Sequence, residues 1–476
     1  MEDRAPEIRS KPPCSRADAE AVLSRLRQEG HTAYFAGGCV RDLLLGLEPK
    51  DWDVATDAPP DRVRRLFSRT QAVGAAFGVI LVRQGDSIVE VATFRSEGEY
   101  LDGRRPSKVR FSTAQEDAAR RDFTINGLFL DPLNDDRVID FVGGLEDLKA
   151  RRLRAIGDPG QRFAEDHLRL LRAVRFAARF GLEIEVATAA AMERDAPLLK
   201  QISPERIADE LRLMLTPPTR TDAWQLLWRF GLVEVVFRFL MHEGTETRRH
   251  EGGGAGEERP RDESTKRRRD PGGSRRRFDF SLVPAKSIFL ATAPGAAISF
   301  GLALAAGSIC VIWQQMRMSG DIRPHLERAG AKQIGRAMRH ALKLSNDELE
   351  ELTGTLEGLG PLLADREPRV AMMKRFLARP TAALSRKLMD ALHAVGICGW
   401  RIAALRPRLD ELEQEDFAPP PLITGDDLTA AGLSPGPAFK KILNDVYDAQ
   451  LEGRVGTRQE AMKMAMEMTR PPHPES

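Results

Sequence analysis

The chain has 476 residues, 42% apolar and 30% charged, an ordinary soluble composition too long for one hydrophobic core, so about two to four domains are expected. A formal net charge of +2 excludes a polycation that coats nucleic acid through its overall field, and leaves local basic patches for any such contact. Cys14, Cys39, Cys310 and Cys398 are too scattered for a zinc or redox motif, the histidines do not cluster, and the charged N-terminus lacks an apolar signal core; free thiols in a reducing, cytoplasmic compartment are expected.

In chain order, residues 1–14 read as a loose tail and Ser15 to Glu29 as a helix with Ala21, Leu23 and Leu26 on its apolar side. Tyr34 to Ala36 is a buried strand. It leads into GGCVRDLLLGLEPKDWD, residues 37–53, where Gly37 and Gly38 form a tight turn whose N–H groups suit an anion. Arg41 adds a forked donor for phosphate, and Val40 to Leu45 is a helix ended by Gly46. Asp51 to Val54 reads as the next strand. Residues i and i+2 of a strand share a face, so Asp51 and Asp53 would aim two hard carboxylates at one point, a donor set that suits Mg²⁺ together with substrate phosphates. The plainer alternative is a glycine turn before a strand with a solvated acidic end.

Pro60 to Phe67 is helical. Val79 to Val82 and Ser87 to Phe94 form a strand pair turning at Gly85-Asp86. Glu90 lies on the second of them, where a carboxylate needs a salt-bridge partner or a metal. Residues 95–110 read as a polar loop. Glu116 to Arg121 is a helical turn with adjacent arginines, and Phe123 to Leu130 runs inward carrying Asn126, which needs a hydrogen-bond partner in protein or ligand. Val138 to Val142 is a strand before the turn Gly143-Gly144.

From Arg162 the chain changes to helices. In RFAEDHLRLLRAVRFAARF, read as one helix at ~100° per residue, Phe163, Leu170, Val174 and Ala177 share a face. Glu165, Arg169, Arg172, Arg175 and Arg179 fall opposite, with Asp166 at their border. Four arginines in phase without a lysine read either as a solvated face or as a binding surface. Ser203-Pro204 starts another helix. Residues 243–279, with Gly252 to Gly254 and the basic runs Lys266 to Arg269 and Arg275 to Arg277, read as a disordered insertion. Ser287 to Met316 is uncharged and exceeds the ~20 residues that span a bilayer. A buried core is preferred there, because Pro294-Gly295 interrupts it and Ala and Gly dominate. Ser345 to Glu348 is a capping box, and the last hundred residues are helical around a Pro-rich linker, Pro419 to Pro421.

Taken together, GGCVRDLLLG with DWD, RRDFTING, VIDFVGGLEDL, EDHLRLLRAVRF and SPERIADEL resemble the nucleotidyltransferase family of bacterial CCA-adding enzymes (tRNA nucleotidyltransferases) and bacterial poly(A) polymerases. The resemblance covers residues 20–235 and returns at LKLSNDE and LITGDDLTAAGLSPGPAFKKIL. It implies an α+β chain: a polymerase-β-like head with a mixed sheet at 15–160, a helical neck at 161–220, a helical body at 221–380 and an RNA-binding helical tail at 381–470. It also implies that Asp51 and Asp53 bind two Mg²⁺ in a two-metal mechanism, with Glu90 as third catalytic carboxylate. Gly37, Gly38 and Arg41 would hold the triphosphate, and Arg121, Asp122 and Asn126 would serve the nucleotide. Asp166 and Arg169 would face the base, with Arg172 and Arg175 beside them.

The implied reaction adds C, C and A from CTP and ATP to a tRNA 3′ end. The loop EYLDGRRPSKVRF and the tail resemble CCA-adding relatives, whereas VEVATFR and RLLRAVRFAARF also resemble poly(A) polymerase, the alternative activity. The chain has no His-Asp phosphohydrolase motif. An inactive RNA-binding relative would be expected to have lost an acid at 51 or 53. A membrane-tethered variant is a separate class, and no stable membrane partner is expected.

Overall fold

The computed structural model describes residues 14–72, 78–97, 109–241, 288–289, 291–316, 321–434 and 436–469. The expected insertion at 243–279 and most of the expected loop, residues 98–108, lie outside them. The fold is α+β, a seven-stranded mixed sheet in the N-terminal region followed by helices. The chain packs into two units: residues 1–214 with 225–236, and residues 215–224 with 237–476. The first takes in the segment expected as head and most of that expected as neck.

In the first unit the strands are β1 (Ala33–Ala36), β2 (Val54–Thr56), β3 (Thr70–Ala72), β4 (Val79–Gln84), β5 (Ser87–Thr93), β6 (Arg95–Glu97), β7 (Val109–Phe111), β8 (Leu128–Asp131), β9 (Arg137–Asp140), β10 (Arg152–Leu153) and β11 (Glu183–Ile184). The main sheet runs β3-β4-β5-β2-β1-β8-β9, and its pairs are antiparallel except β2 with β5. The helices are α1 (Arg16–Gln28), α2 (Gly38–Leu44), α3 (Pro60–Leu66), α4 (Ala114–Ala119), α5 (Gly144–Lys149), α6 (Pro159–Glu165), α7 (Arg169–Phe180), α8 (Val186–Asp195) and α9 (Pro204–Leu215).

Ser15 caps α1 by accepting the Asp18 N–H, and its own N–H reaches Ser87 Oγ at 3.1 Å, which ties α1 to the start of β5. Along β1 and its approach the side chains alternate. Phe35 packs on Trp52 on the α1 side, with ring centroids 4.8 Å apart, while Tyr34 and Ala36 join Ala55, Phe94, Ala118 and Phe129 on the other.

Three expectations change. β2 begins at Val54, so Asp51 to Asp53 lead into the strand, although Asp53 O still accepts the Ala36 N–H at 3.0 Å. The loop read at 95–110 is strand at both ends, because β6 and β7 pair as an antiparallel ribbon that roots it. The helix read through RFAEDHLRLLRAVRFAARF is two helices. Asp166 leaves helical geometry at φ −151°, and its carboxylate accepts the Leu168 N–H at 3.1 Å, a local bond that competes with the helix.

The second unit is helical. The uncharged stretch contains the helix Phe300–Gln315, capped by Ser299 and buried on all sides from Phe300 to Ile312. It packs against the helices Asn346–Glu357 and Ala382–Ala394. A buried core was the preferred reading, and among the described residues no helix is long and apolar enough to cross a membrane. The Ser345–Glu348 capping box is present in both directions. Pro419 to Pro421 is laid down, with Tyr447 Oη donating to Pro419 O and Gln450 Nε2 to Pro420 O, each at 2.9 Å.

Candidate active site

Gly37 sits at φ 74° and ψ −119°, a conformation essentially restricted to glycine, and a Cβ there would lie 2.7 Å from Arg121 Nη1. Its N–H donates to Leu128 O at 3.1 Å, closing β1 against β8. The turn therefore lets Arg121 approach the backbone. Arg121 Nη1 donates to Asn126 O at 3.0 Å, and its Nη2 to Asp117 Oδ2, also at 3.0 Å. Asp117 is 2% exposed and takes Arg120 as well. Burial pushes its pKa up, but the two guanidiniums outweigh that and hold it low.

The acids come next. Trp52 is buried on Phe35, and Asp51 and Asp53 flank it just ahead of β2. The parallel pairing of β2 with β5 starts at Val54↔Val91, the residues that directly follow Asp53 and Glu90. Asp51 is exposed; Asp53 and Glu90 are half-buried. Burial first, and then the charge of Asp53, push the nearby Cys39 thiol up to about 12, so Cys39 stays neutral and offers no thiolate. The donors are hard oxygens. Among the described residues no group of three or more His, Cys, Asp or Glu is placed to hold a metal ion, so Asp51, Asp53 and Glu90 are not gathered as a triad here. One or two carboxylates with the shell completed by substrate phosphate and water is the usual arrangement for Mg²⁺, and these residues fit it.

The nucleotide candidates form one buried chain of hydrogen bonds. Arg41, 5% exposed, donates through Nε to Asp42 at 2.8 Å and through Nη1 to Asn126 Oδ1 at 2.6 Å. Asn126 Nδ2 donates to Asp122 Oδ1 at 2.9 Å. Asp122 Oδ2 receives Arg172 Nε at 2.8 Å and Nη2 at 2.6 Å. Glu210 then takes Arg175 Nε at 2.7 Å, with Arg172 Nη1 at 3.8 Å. The buried Asn126 thus has protein partners on both sides of its amide. Burial pushes Asp122 up, but Arg172, Asn126 and the Phe123 N–H together bring it down to about 2. The donors of Arg41 are turned inward, toward Asp42 and Asn126.

The arginines of α7 are a paired network, which includes the i,i+4 pair Glu165–Arg169 expected of a solvated face. Arg169 pairs with Glu165, Arg172 with Asp122, Arg175 with Glu210, and Arg179 with Asp42 at 3.3 Å. Arg169 Nη1 also donates to Arg162 O at 2.8 Å. Asp166 accepts Arg206 Nη2 at 2.7 Å, which binds the bend between α6 and α7 to α9.

Sequence reasoning passed over Phe176 and Phe180. Their rings stack 6.2 Å apart on the arginine side of α7. Arg41 lies 4.5 Å from the Phe180 centroid and 5.1 Å from that of Phe176; Arg175 lies 4.3 Å from Phe176, and Arg179 4.8 Å from Phe180. Aromatics at i and i+4 interleaved with in-phase arginines were the available signal. Asp42, Asp117, Arg206 and Glu210 were missed too, since nothing local marks which carboxylate will meet which arginine.

Comparisons with known proteins bear on this arrangement. The family described as the poly A polymerase head domain matches residues 33–154, and that described as the probable RNA and SrmB-binding site of polymerase A matches residues 181–243. A CCA-adding enzyme of Bacillus pumilus is 47% identical over 195 residues, 41% of this chain and 48% of that protein. Poly(A) polymerase I of Haemophilus influenzae is 39% identical over 238 residues, 47% of this chain and 52% of its own. The chain thus spans about half the length of the curated relatives it matches. The Bacillus stearothermophilus CCA-adding enzyme, solved in complex with CTP, aligns with a TM-score of 0.62 and 25% identity over 95% of this chain and 97% of that one. Residues 33–154 thus match the poly A polymerase head domain, and the chain is similar in sequence over its N-terminal half, and in fold over most of its length, to bacterial CCA-adding enzymes and poly(A) polymerases.

Proposed function

We propose that the chain is a template-independent RNA nucleotidyltransferase that adds C, C and A to a tRNA 3′ end from CTP and ATP. The observation that carries this is the placement of Asp51 and Asp53 just ahead of β2, whose parallel partner β5 carries Glu90, with the Gly37 turn at the end of the neighbouring β1. The RNA 3′ oxygen forms a bond to the α-phosphorus, the α–β phosphoanhydride bond breaks, pyrophosphate leaves, and the hydroxyl proton passes to solvent. Mg²⁺ held by Asp51 and Asp53 would lower the pKa of that hydroxyl and offset charge on the leaving pyrophosphate. The turn at Gly37 and Gly38, with Arg121 against it, shapes the triphosphate side.

Asp166 and Arg169 read the base. C and A each present an amino donor beside a ring-nitrogen acceptor, so a carboxylate and a guanidinium match both. U and G present a carbonyl where the amino group should be, and an unpaired polar contact rejects them. Arg206 holds Asp166 and Glu165 holds Arg169, which supports a pocket that keeps its pattern without a template. Arg41, Asn126, Asp122, Arg172 and Arg175 position that pocket against the acids. The head of 15–160, the neck to 220, a body to 380 and a tail to 470 are the division of labour we propose.

Poly(A) addition is the second reading, favoured by the likeness to poly(A) polymerase I. Incubation with tRNA lacking its 3′ end, with CTP, ATP and both, separates the two. Ordered addition of C, C and A is expected, and long A tails on unrelated RNA would overturn it. Asp53→Ala is expected to abolish incorporation while RNA affinity stays within about twofold. Metal-dependent incorporation persisting in that variant would reject the assignment.

A further inference from the structure

A buried carboxylate that the reaction does not touch stands behind the Gly37 turn. Asp117, in α4, is 2% exposed and divides its two oxygens between different elements. Oδ1 accepts the N–H of Arg95, the first residue of β6, at 3.2 Å, together with Arg120 Nε at 2.9 Å and Nη2 at 2.6 Å. Oδ2 accepts Arg121 Nε at 3.3 Å and Nη2 at 3.0 Å. Those two bonds hold one edge of the Arg121 guanidinium. Its remaining nitrogen, Nη1, is left to face the turn, where it donates to Asn126 O at 3.0 Å and lies 2.7 Å from the place of a Gly37 Cβ. The Phe129 ring, 5.2 Å from the same guanidinium, supports it.

The end of α4 also receives arginines from the helices that follow. Arg120 O accepts Arg162 Nη1 at 3.1 Å and Arg169 Nη2 at 3.4 Å, and Ala119 O accepts Arg162 Nη2 at 2.8 Å. Arg120 is the C-cap of α4, so pairing its side chain with Asp117 anchors the residue whose carbonyl seats Arg169. We propose that Asp117 is a positioning residue for nucleotide binding. It sets Arg121 against the Gly37 turn for the triphosphate and, through the end of α4, holds the seat of Arg169. This role rests on the transferase reading, and adds to it a residue that touches no substrate itself. The charge and both oxygens are needed for it. An asparagine offers one acceptor oxygen and an amide that only donates. It can hold Arg120 with the Arg95 N–H, or Arg121, but not both sides together.

The test uses the full chain with CTP and ATP, by equilibrium affinity and by steady-state incorporation into a tRNA transcript lacking its 3′ end. Asp117→Asn is expected to raise Kd and KM for both nucleotides about tenfold, while kcat changes less than about threefold because the acids at 51 and 53 are untouched. Arg121→Lys keeps the charge but gives up the two-point hold. It is expected to raise KM by a similar factor with Asp117 in place, which keeps the test open if Asp117→Asn does not fold. Adding Asp117→Asn to Arg121→Lys should cost less than about threefold more, since both act through one guanidinium. A lowered melting midpoint with nucleotide Kd and KM unchanged, an Arg121→Lys variant with parental KM, or effects that multiply fully would each overturn the positioning role. A parent chain that binds CTP and ATP, loses that affinity in Asp117→Asn, and yet incorporates neither would sink the transferase reading and leave the role of Asp117 standing.

Discussion

Asp122 shows how one side chain is made to serve a site. It is buried, which alone would favour the neutral acid, yet Arg172, Asn126 and the Phe123 N–H bring its pKa from 3.8 down to about 2. A carboxylate with a depressed folded pKa stabilises the fold above its unfolded value and loses that contribution as pH falls through the folded one. Here the window is pH 4 to 2, and the contribution is about 2 kcal/mol. In Asp122→Asn the deficit in calorimetric midpoint is therefore expected to be full at pH 5 and to shrink toward pH 2. A deficit that stays constant would mean that Asp122 is not the group titrating there. Gly37 makes the complementary point: its value lies in the atom it lacks, because Arg121 occupies the space of a Cβ.

At the scale of the element, α7 is an organising strut. Its apolar side fills the core with Leu170, Val174 and Ala177. Its other side lays Phe176 and Phe180 beneath four guanidiniums, each of which also meets a carboxylate. Charges this close to the interior are tolerable because the aromatic faces and the carboxylates compensate their lost hydration together. Phe176→Ala is expected to destabilise the first unit by about 3–5 kcal/mol and to raise KM for nucleotide, with Phe176→Leu recovering most of the stability but less of the affinity. Denaturant unfolding and steady-state kinetics on the pair check this. If both substitutions cost the same in KM, the platform is volume and not cation–π support.

For the whole molecule, the helix Phe300–Gln315 decides what kind of protein this is. Its thirteen consecutive buried residues, Phe300 to Ile312, account for this part of the uncharged run. Burial on every side removes the need for amphipathicity. Ala305 is wholly buried, so Ala305→Asp places an unpaired carboxylate in the core of the second unit and is expected to cost more than about 4 kcal/mol. Proteolysis and calorimetry would then report loss of cooperative structure from residue 237 onward. A variant that melts like the parent would mean this helix lies at a surface. Arg220 supports the same core. It is 1% exposed, and it donates to the carbonyls of Pro217, Thr292, Ala293 and Ala296.

Much of this was legible in the order of residues. The Gly-Gly turn, the β4–β5 hairpin, the capping box and the buried uncharged helix follow from local rules: φ preference, turn chemistry and composition act within a few residues of one another. The family resemblance added the α+β class and the candidate site. What the sequence could not settle was pairing. Whether Arg41 turns to a phosphate or to Asn126, which carboxylate each arginine of α7 meets, and that β2 pairs with β5 depend on strands and helices far apart in the chain. The break at Asp166 belongs here too, since Arg206 from α9 helps to hold it. A charged side chain carries no local mark of its partner, because Coulombic and hydrogen-bond energies are decided by distance and burial, and only the tertiary structure supplies those.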